Sequence, residues 1–242
     1  MKKILFLVFL AGCVANNNFV MHQDFDFKPI QTKNYQIATW QKINNSKNKS
    51  VHIYIEGDGH AFDAYGQPSD DPTPNGTFMR QMAMEDKADN VVYIARPCQF
   101  IMDKNCTESD WTNARFSQKV IDSMSSVVKE IGHNKKISLI GYSGGALVSG
   151  LIINQNPKLN FENWITIAGV LNHEEWTKYF NDVPLDKSLN LTKLPNVKQK
   201  HFVGGRDKIV PYELSKKWVK DKDLILVDDA THNDFGELKI FE

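Results

Sequence analysis

The sequence predicts one α/β domain: a mostly parallel central sheet, helices on both faces and a small helical insertion. Three observations carry this reading. From residue 35 onward, short apolar runs alternate with stretches of helical period. The run Val91-Val92-Tyr93-Ile94-Ala95 is nearly all apolar, as a strand covered on both faces should be. Strand followed by helix, repeated, implies right-handed crossovers between parallel strands.

The elements follow in order. Residues 35–40 read as a strand. Val51-His52-Ile53-Tyr54-Ile55 alternates β-branched with larger residues and runs into Gly57, a strand and its turn. Residues 77–88 suit a helix, and 91–95 the next strand. Phe116, Val120, Met124, Val127 and Ile131 lie on one helical face, which Gly132 terminates. Residues 137–140 form a strand and 146–154 a helix that stops before Pro157. Residues 164–168 form a strand. Residues 171–197 lack strand signals and carry Trp176, Tyr179 and Phe180, so they read as a small helical insertion, a partial lid. A strand at 201–203, a helix at 212–219, a strand at 224–227 and a final helix at 232–241 complete the chain.

Composition fits one domain of ordinary size. The chain has 242 residues, 41% of them hydrophobic and 24% charged, with 29 Lys and Arg against 29 Asp and Glu. Nucleic-acid affinity rests on basic surface. Here the only local excess, residues 42–49, is diluted with Asn and Ser and reads as a loop, so no nucleic-acid partner is expected.

The N-terminus reads as a targeting segment. Lys2 and Lys3 precede an apolar run from Ile4 to Leu10 that is too short to span a bilayer. Leu10-Ala11-Gly12-Cys13 resembles the lipobox of bacterial lipoproteins. That resemblance implies a signal peptide at 1–12 and a lipid on Cys13. It makes 13–34 an anchor and Asn-rich tether, and 35–242 the folded domain. The membrane is then a partner through the lipid, and the location is the cell envelope. Val14 rather than Asp after the cysteine permits the outer membrane where two membranes exist. The alternative is an ordinary secretory signal with an incidental cysteine. Cys98 and Cys106 remain, an even count that in an exported chain favours a disulfide over two free thiols.

The sharpest motif is Gly141-Tyr142-Ser143-Gly144-Gly145, a G-x-S-x-G between a predicted strand and a predicted helix. A nucleophilic serine needs a sharp, strained turn that projects its Oγ from the sheet edge, and flanking glycines let strand and helix backbones approach. The alternative is an ordinary glycine-rich turn. Asp207, in Gly204-Gly205-Arg206-Asp207, follows a predicted strand and suits the acceptor of a histidine Nδ1–H, or else a turn or helix N-cap. His232 follows the last predicted strand, either to face the serine or to start a solvent-exposed helix.

The order Ser143, Asp207, His232 resembles the catalytic triad of α/β-hydrolase-fold serine hydrolases, across roughly residues 35–242. The Glu56-Gly57-Asp58-Gly59-His60, Asp71-Pro72-Thr73-Pro74, Arg96-Pro97-Cys98-Gln99 and Trp111-Thr112 segments are similar to uncharacterised bacterial lipoprotein members of that superfamily. The resemblance implies an α/β-hydrolase fold and hydrolysis of an ester or related acyl bond of a small-molecule substrate. An oxyanion hole would use the N–H groups of Gly144 and Asp58; the alternative for the 56–59 loop is a structural glycine turn. Glu56 stands where many relatives carry a histidine, and the Asp58 carboxylate is expected to turn away from the oxyanion. Arg96 either forks a substrate carboxylate or, the favoured reading, locks the Cys98 loop by pairing with an aspartate such as Asp71 or Asp110. His60 is a loop hydrogen-bonding residue or a second base; Trp111 and Trp176 wall a pocket or pack in the core. No G-x-G-x-x-G, Walker loop or H-E-x-x-H is present, so neither cofactor nor metal is implied. The rival readings are an envelope-anchored binding module, a structural envelope lipoprotein, and a peptidase or acyltransferase on the same fold.

Overall fold

The computed structural model describes residues 21, 24–47 and 49–241. In chain order its elements are β1 (Asp26–Phe27), β2 (Ile30–Gln31), β3 (Gln36–Ile37), β4 (Thr39–Ile43), β5 (Ser50–Ile55), α1 (Phe78–Glu85), β6 (Asn90–Ile94) and α2 (Gln118–Ile131). Then come β7 (Lys136–Tyr142), α3 (Gly144–Gln155), β8 (Phe161–Ile167), α4 (His173–Phe180), β9 (Lys198–Gly204), α5 (Tyr212–Lys216) and β10 (Leu224–Val227).

The main sheet has eight strands in the order β1-β4-β6-β5-β7-β8-β9-β10. Pairing is parallel from β6 through to β10, while β4 runs antiparallel to β6 and β1 antiparallel to β4. The chain leaves β5 for β6 on one side and then crosses to β7 on the other. Strand order therefore reverses between β5 and β7. Loops leaving the C-terminal ends of two such strands diverge and open a crevice.

Strand periodicity sorts the core into two layers. Val51, Ile53 and Ile55 of β5 face one side with Leu139 of β7, where α2 and α3 pack through Val120, Met124, Val127 and Leu147. Tyr54, Tyr93 and Ile140 face the other side, under Met79 and Ala83 of α1 and the C-terminal segment. Each fully buried side chain of this size contributes roughly 1.5–3 kcal/mol, so the α2 face alone is a major term. Ten consecutive residues of α3, from Gly144 to Ile153, are buried, as in a helix enclosed by its neighbours.

Three expectations change. The chain expected as tether is partly folded: β1 pairs with β4, β2 with β3, and Met21 and Phe25 are buried in the second layer. The domain thus begins before residue 35. A turn joins β2 to β3, closed by Thr32 Oγ1, which accepts from Tyr35 N–H at 3.1 Å and donates to Tyr35 O at 2.8 Å. The strand expected at 35–40 is accordingly two strands, β3 and β4, in different sheets. The final helix expected at 232–241 is absent. Gly236 adopts φ 58°, and Asp234 binds Thr231 N–H and Gly236 N–H locally, so the backbone turns instead of coiling. Phe235 and Ile240 are nonetheless buried, which explains the apolar spacing that resembled a helix.

The insertion at 171–197 contains α4, capped by Asn172 Oδ1, which accepts from Glu175 N–H at 2.9 Å. Cys98 and Cys106 form a disulfide with Cα atoms 5.8 Å apart. The Leu10–Cys13 motif lies outside the described residues. Among the described residues, no helix is long and apolar enough to cross a membrane.

Candidate active site

Ser143 sits between the last residue of β7 and the first of α3, at φ 50° and ψ −121°. A positive φ is costly for a non-glycine residue and persists only where the surroundings enforce it. Here Ser143 N–H donates to Ile167 O and Ser143 O accepts from Val170 N–H, both at 3.0 Å. Glycine lets the chain approach itself on either side. A Cβ on Gly141 would stand 2.4 Å from Gly145 O, and one on Gly145 2.5 Å from Glu56 O.

His232 lies in the irregular segment after β10 and Asp207 in the turn after β9. Asp207 Oδ2 is 2.9 Å from His232 Nδ1, and His232 Nε2 is 3.0 Å from Ser143 Oγ. Asp207 Oδ1 accepts from Ile209 and Val210 N–H, each at 2.8 Å, which aims the buried carboxylate. With Nδ1–H held by Asp207, the Nε2 lone pair faces the serine hydroxyl. All three residues expected to meet are therefore joined in one hydrogen-bonded chain. It can remove a proton from Ser143 and stabilise the imidazolium that results.

The loop after β5 crosses this serine. Gln99 locks it: Nε2 donates to Gly57 O at 3.0 Å, while Oε1 accepts from Arg96 N–H at 2.9 Å. Glu56 is buried; Tyr93 OH donates to its Oε2 at 2.7 Å and Gly57 N–H to its Oε1 at 2.9 Å. Burial pushes the Glu56 carboxyl above its ordinary range, against those hydrogen bonds.

Arg96 pairs with an aspartate, as expected, but the partner differs from the two named. Arg96 pairs with Asp58, Nη1 to Oδ1 at 3.1 Å, not with Asp71 or Asp110. Asp71 instead accepts from Thr73 N–H, and Asp110 from Tyr35 OH. The Asp58 carboxylate lies against Gly144, so close that a Cβ there would be 2.0 Å from Oδ1. It is tolerated because Arg115 Nε also approaches Asp58 Oδ2, at 2.9 Å, so two guanidiniums offset one carboxylate. Desolvation lowers the Arg96 pKa, opposed by Asp58 and reinforced by Arg115.

No protein-family model matches the chain, and no curated protein matches it significantly. Solved structures are similar in fold. An α/β serine hydrolase homologue from Coxiella burnetii aligns with 16% identity and TM-score 0.53, over 89% of this chain and 91% of that one. Est1E from Butyrivibrio proteoclasticus aligns with 12% identity and TM-score 0.58, over 85% and 90%. An esterase from Pyrococcus furiosus aligns with 19% identity and TM-score 0.53, over 86% and 85%. The chain has the α/β-hydrolase fold.

In this α/β-hydrolase-fold chain the crevice between β5 and β7 is a cavity of about 480 Å³. Ser143, His232 and Asp58 line it, together with Arg115, His173 and Trp176. The insertion thus builds one wall, through His173 and Trp176 of α4. Trp176 Nε1 donates to Ile209 O at 2.7 Å, tying α4 to the loop that carries Asp207. His60 also lines the cavity, whereas Trp111 packs in the first core layer and donates from Nε1 to Ser69 O at 3.1 Å. Arg115 and His173 have no sequence signal. Neither sits in a motif, and only the fold brings them to the serine.

Proposed function

We propose that this chain is a serine acyl hydrolase that cleaves an ester or related acyl bond through an acyl-enzyme. The observation that carries the reading is the Ser143–His232–Asp207 chain, with contacts of 3.0 and 2.9 Å, on a serine strained to φ 50°. In this mechanism His232 Nε2 takes the Ser143 proton as Oγ attacks the acyl carbonyl. The proton then passes to the leaving group, and Asp207 stabilises the imidazolium meanwhile. Water enters, His232 removes its proton, and the acyl–serine bond breaks.

The oxyanion would be held by backbone N–H groups. Gly144 opens α3, so its N–H lacks an intrahelical acceptor and sits at the positive helix end. Asp58 N–H, on the loop pinned by Gln99, is the second donor in this reading. The fold's solved neighbours include proteins described as serine hydrolases and esterases, in line with this chemistry. The reading also includes a lipid on Cys13 that anchors the domain at the cell envelope, tested by palmitate labelling of wild type and Cys13→Ala. The activity itself is tested on short aryl esters: Ser143→Ala should lose roughly 10³-fold or more in kcat. Equal rates for wild type and variant would refute it.

A further inference from the structure

We propose that the cavity contains an anion-binding subsite, in which Arg115 receives a substrate carboxylate lying a few bonds from the acyl group cleaved. The placement of the scissile bond rests on the acyl-hydrolase reading above; the anion subsite itself does not.

The first argument is charge. Among the described residues, Arg96 and Arg115 share a single partner carboxylate, Asp58. The other carboxyl on this loop, Glu56, is engaged instead by Tyr93 OH and Gly57 N–H, and burial raises its pKa. Two guanidiniums thus stand against one carboxylate beside Ser143 in a partly desolvated site, where an arriving anion is attracted far more strongly than in water.

The second argument is unused hydrogen-bonding capacity. Arg115 is only 6% exposed yet lines the cavity. Among the described residues, its one aligned hydrogen bond is Nη1 to Thr112 O, at 3.0 Å. Nε, though 2.9 Å from Asp58 Oδ2, is not aligned to donate to it. A planar guanidinium with open donors fits a carboxylate, which can take two parallel N–H bonds. His173, 2% exposed and also lining the cavity, makes no well-aligned hydrogen bond from either ring nitrogen among the described residues. Burial lowers its pKa below the usual histidine value.

The third argument is rigidity. Phe116 lies under both guanidiniums, with Arg96 and Arg115 Cζ 5.2 and 5.5 Å from its ring centroid, and stacks on His173 at 5.9 Å. Arg96 is fixed by hydrogen bonds to Arg115 O and Asp58. The charges are thus held in place before a ligand arrives, which reduces the ordering cost of binding.

Matched esters test the proposal. Monophenyl succinate and phenyl pentanoate place a carboxylate or a methyl at similar reach on the acyl side. 4-Acetoxybenzoate and phenyl acetate do so on the leaving-group side. With each rate corrected for reactivity toward hydroxide, wild type should favour the anionic member of one pair by about tenfold or more in kcat/KM. Arg115→Met should bring that ratio near one, and Arg115→Lys should restore part of it. Which pair responds tells which side of the ester carries the carboxylate. Succinate binding to Ser143→Ala, measured by calorimetry, reads the subsite without turnover and should be lost in Ser143→Ala/Arg115→Met. A wild-type ratio of one or less in both pairs overturns the proposed substrate class even if Arg115→Met does not fold. Absence of succinate binding overturns the subsite. If wild type cleaves none of the four esters, the hydrolase reading fails, and the succinate titration alone then supports or overturns the subsite.

Discussion

The Asp58 carboxylate rests on Gly144: a Cβ added to Gly144 would stand 2.0 Å from Asp58 Oδ1 and 2.6 Å from its Cγ. Gly144 needs no left-handed backbone, so what the glycine provides is room. The residue after the serine and the loop after β5 are therefore fitted to each other, and the two arginines hold that fit.

Gly144→Ala should consequently displace Asp58 and the loop that carries it. Misplacing a reacting group by about 1 Å costs on the order of 10²-fold, so kcat/KM should fall roughly 10- to 100-fold. Alanine is the better helix former, so stability should not fall in parallel. Asp58→Ala removes the clash, and the double variant should recover part of the lost activity. Kinetics on all four enzymes measure that coupling, and strict additivity would contradict the steric explanation.

Asp207→Asn preserves the acceptor that Ile209 and Val210 N–H use but no longer stabilises an imidazolium. The fold should persist by circular dichroism. kcat should drop by roughly three to four orders of magnitude, the scale seen when a triad aspartate becomes asparagine. A loss below tenfold would mean that Asp207 serves only its turn.

His201 is buried between Thr166 Oγ1, 2.8 Å from Nδ1, and Gln199 Oε1, 2.9 Å from Nε2. Burial lowers its pKa to about 3. The unfolded chain therefore binds the proton more readily, near the ordinary value of about 6.5. Stability from this group is full above that value. It is lost as pH falls toward 3, by about 1.4 kcal/mol per pH unit within the window. Urea unfolding at pH 7 and 4.5 should show the slope, and His201→Gln should flatten it.

The Cys98–Cys106 bond closes a sequence separation of 8. Loop-closure entropy for a loop this short gives on the order of 2.5 kcal/mol. Cys98 lies between Arg96 and Gln99, the residues that fix the Asp58 loop. Cys98→Ser/Cys106→Ser should therefore lower the unfolding midpoint and also reduce kcat/KM at temperatures where the protein remains folded. Loss of stability without loss of activity would separate the disulfide from the site.

Much of this was legible in the chain because strand ends announce themselves. Ser143, Asp207 and His232 each follow an apolar strand and stand beside turn residues, so topology alone brings them to one edge of the sheet. The strands β1 and β2 have no sequence signal because each is only two residues long and shows no alternation, and β3, equally short, reads as one strand with β4. Residues 232–241 misled by composition: their apolar residues are buried, but Asp234 and Gly236 bend the backbone out of a helix. The partner of Arg96 could not be read at all. Asp58, Asp71 and Asp110 are chemically alike in sequence, and only the packed loop shows that Asp58 is the one in reach.

The central claim is an activated serine at residue 143. A fluorophosphonate probe on the purified, disulfide-intact domain tests it most directly, beside Ser143→Ala and His232→Ala. The expected result is labelling of wild type, none of Ser143→Ala, and strongly slowed labelling of His232→Ala. Folded wild type that takes up no label, or labelling that survives Ser143→Ala, would contradict the claim.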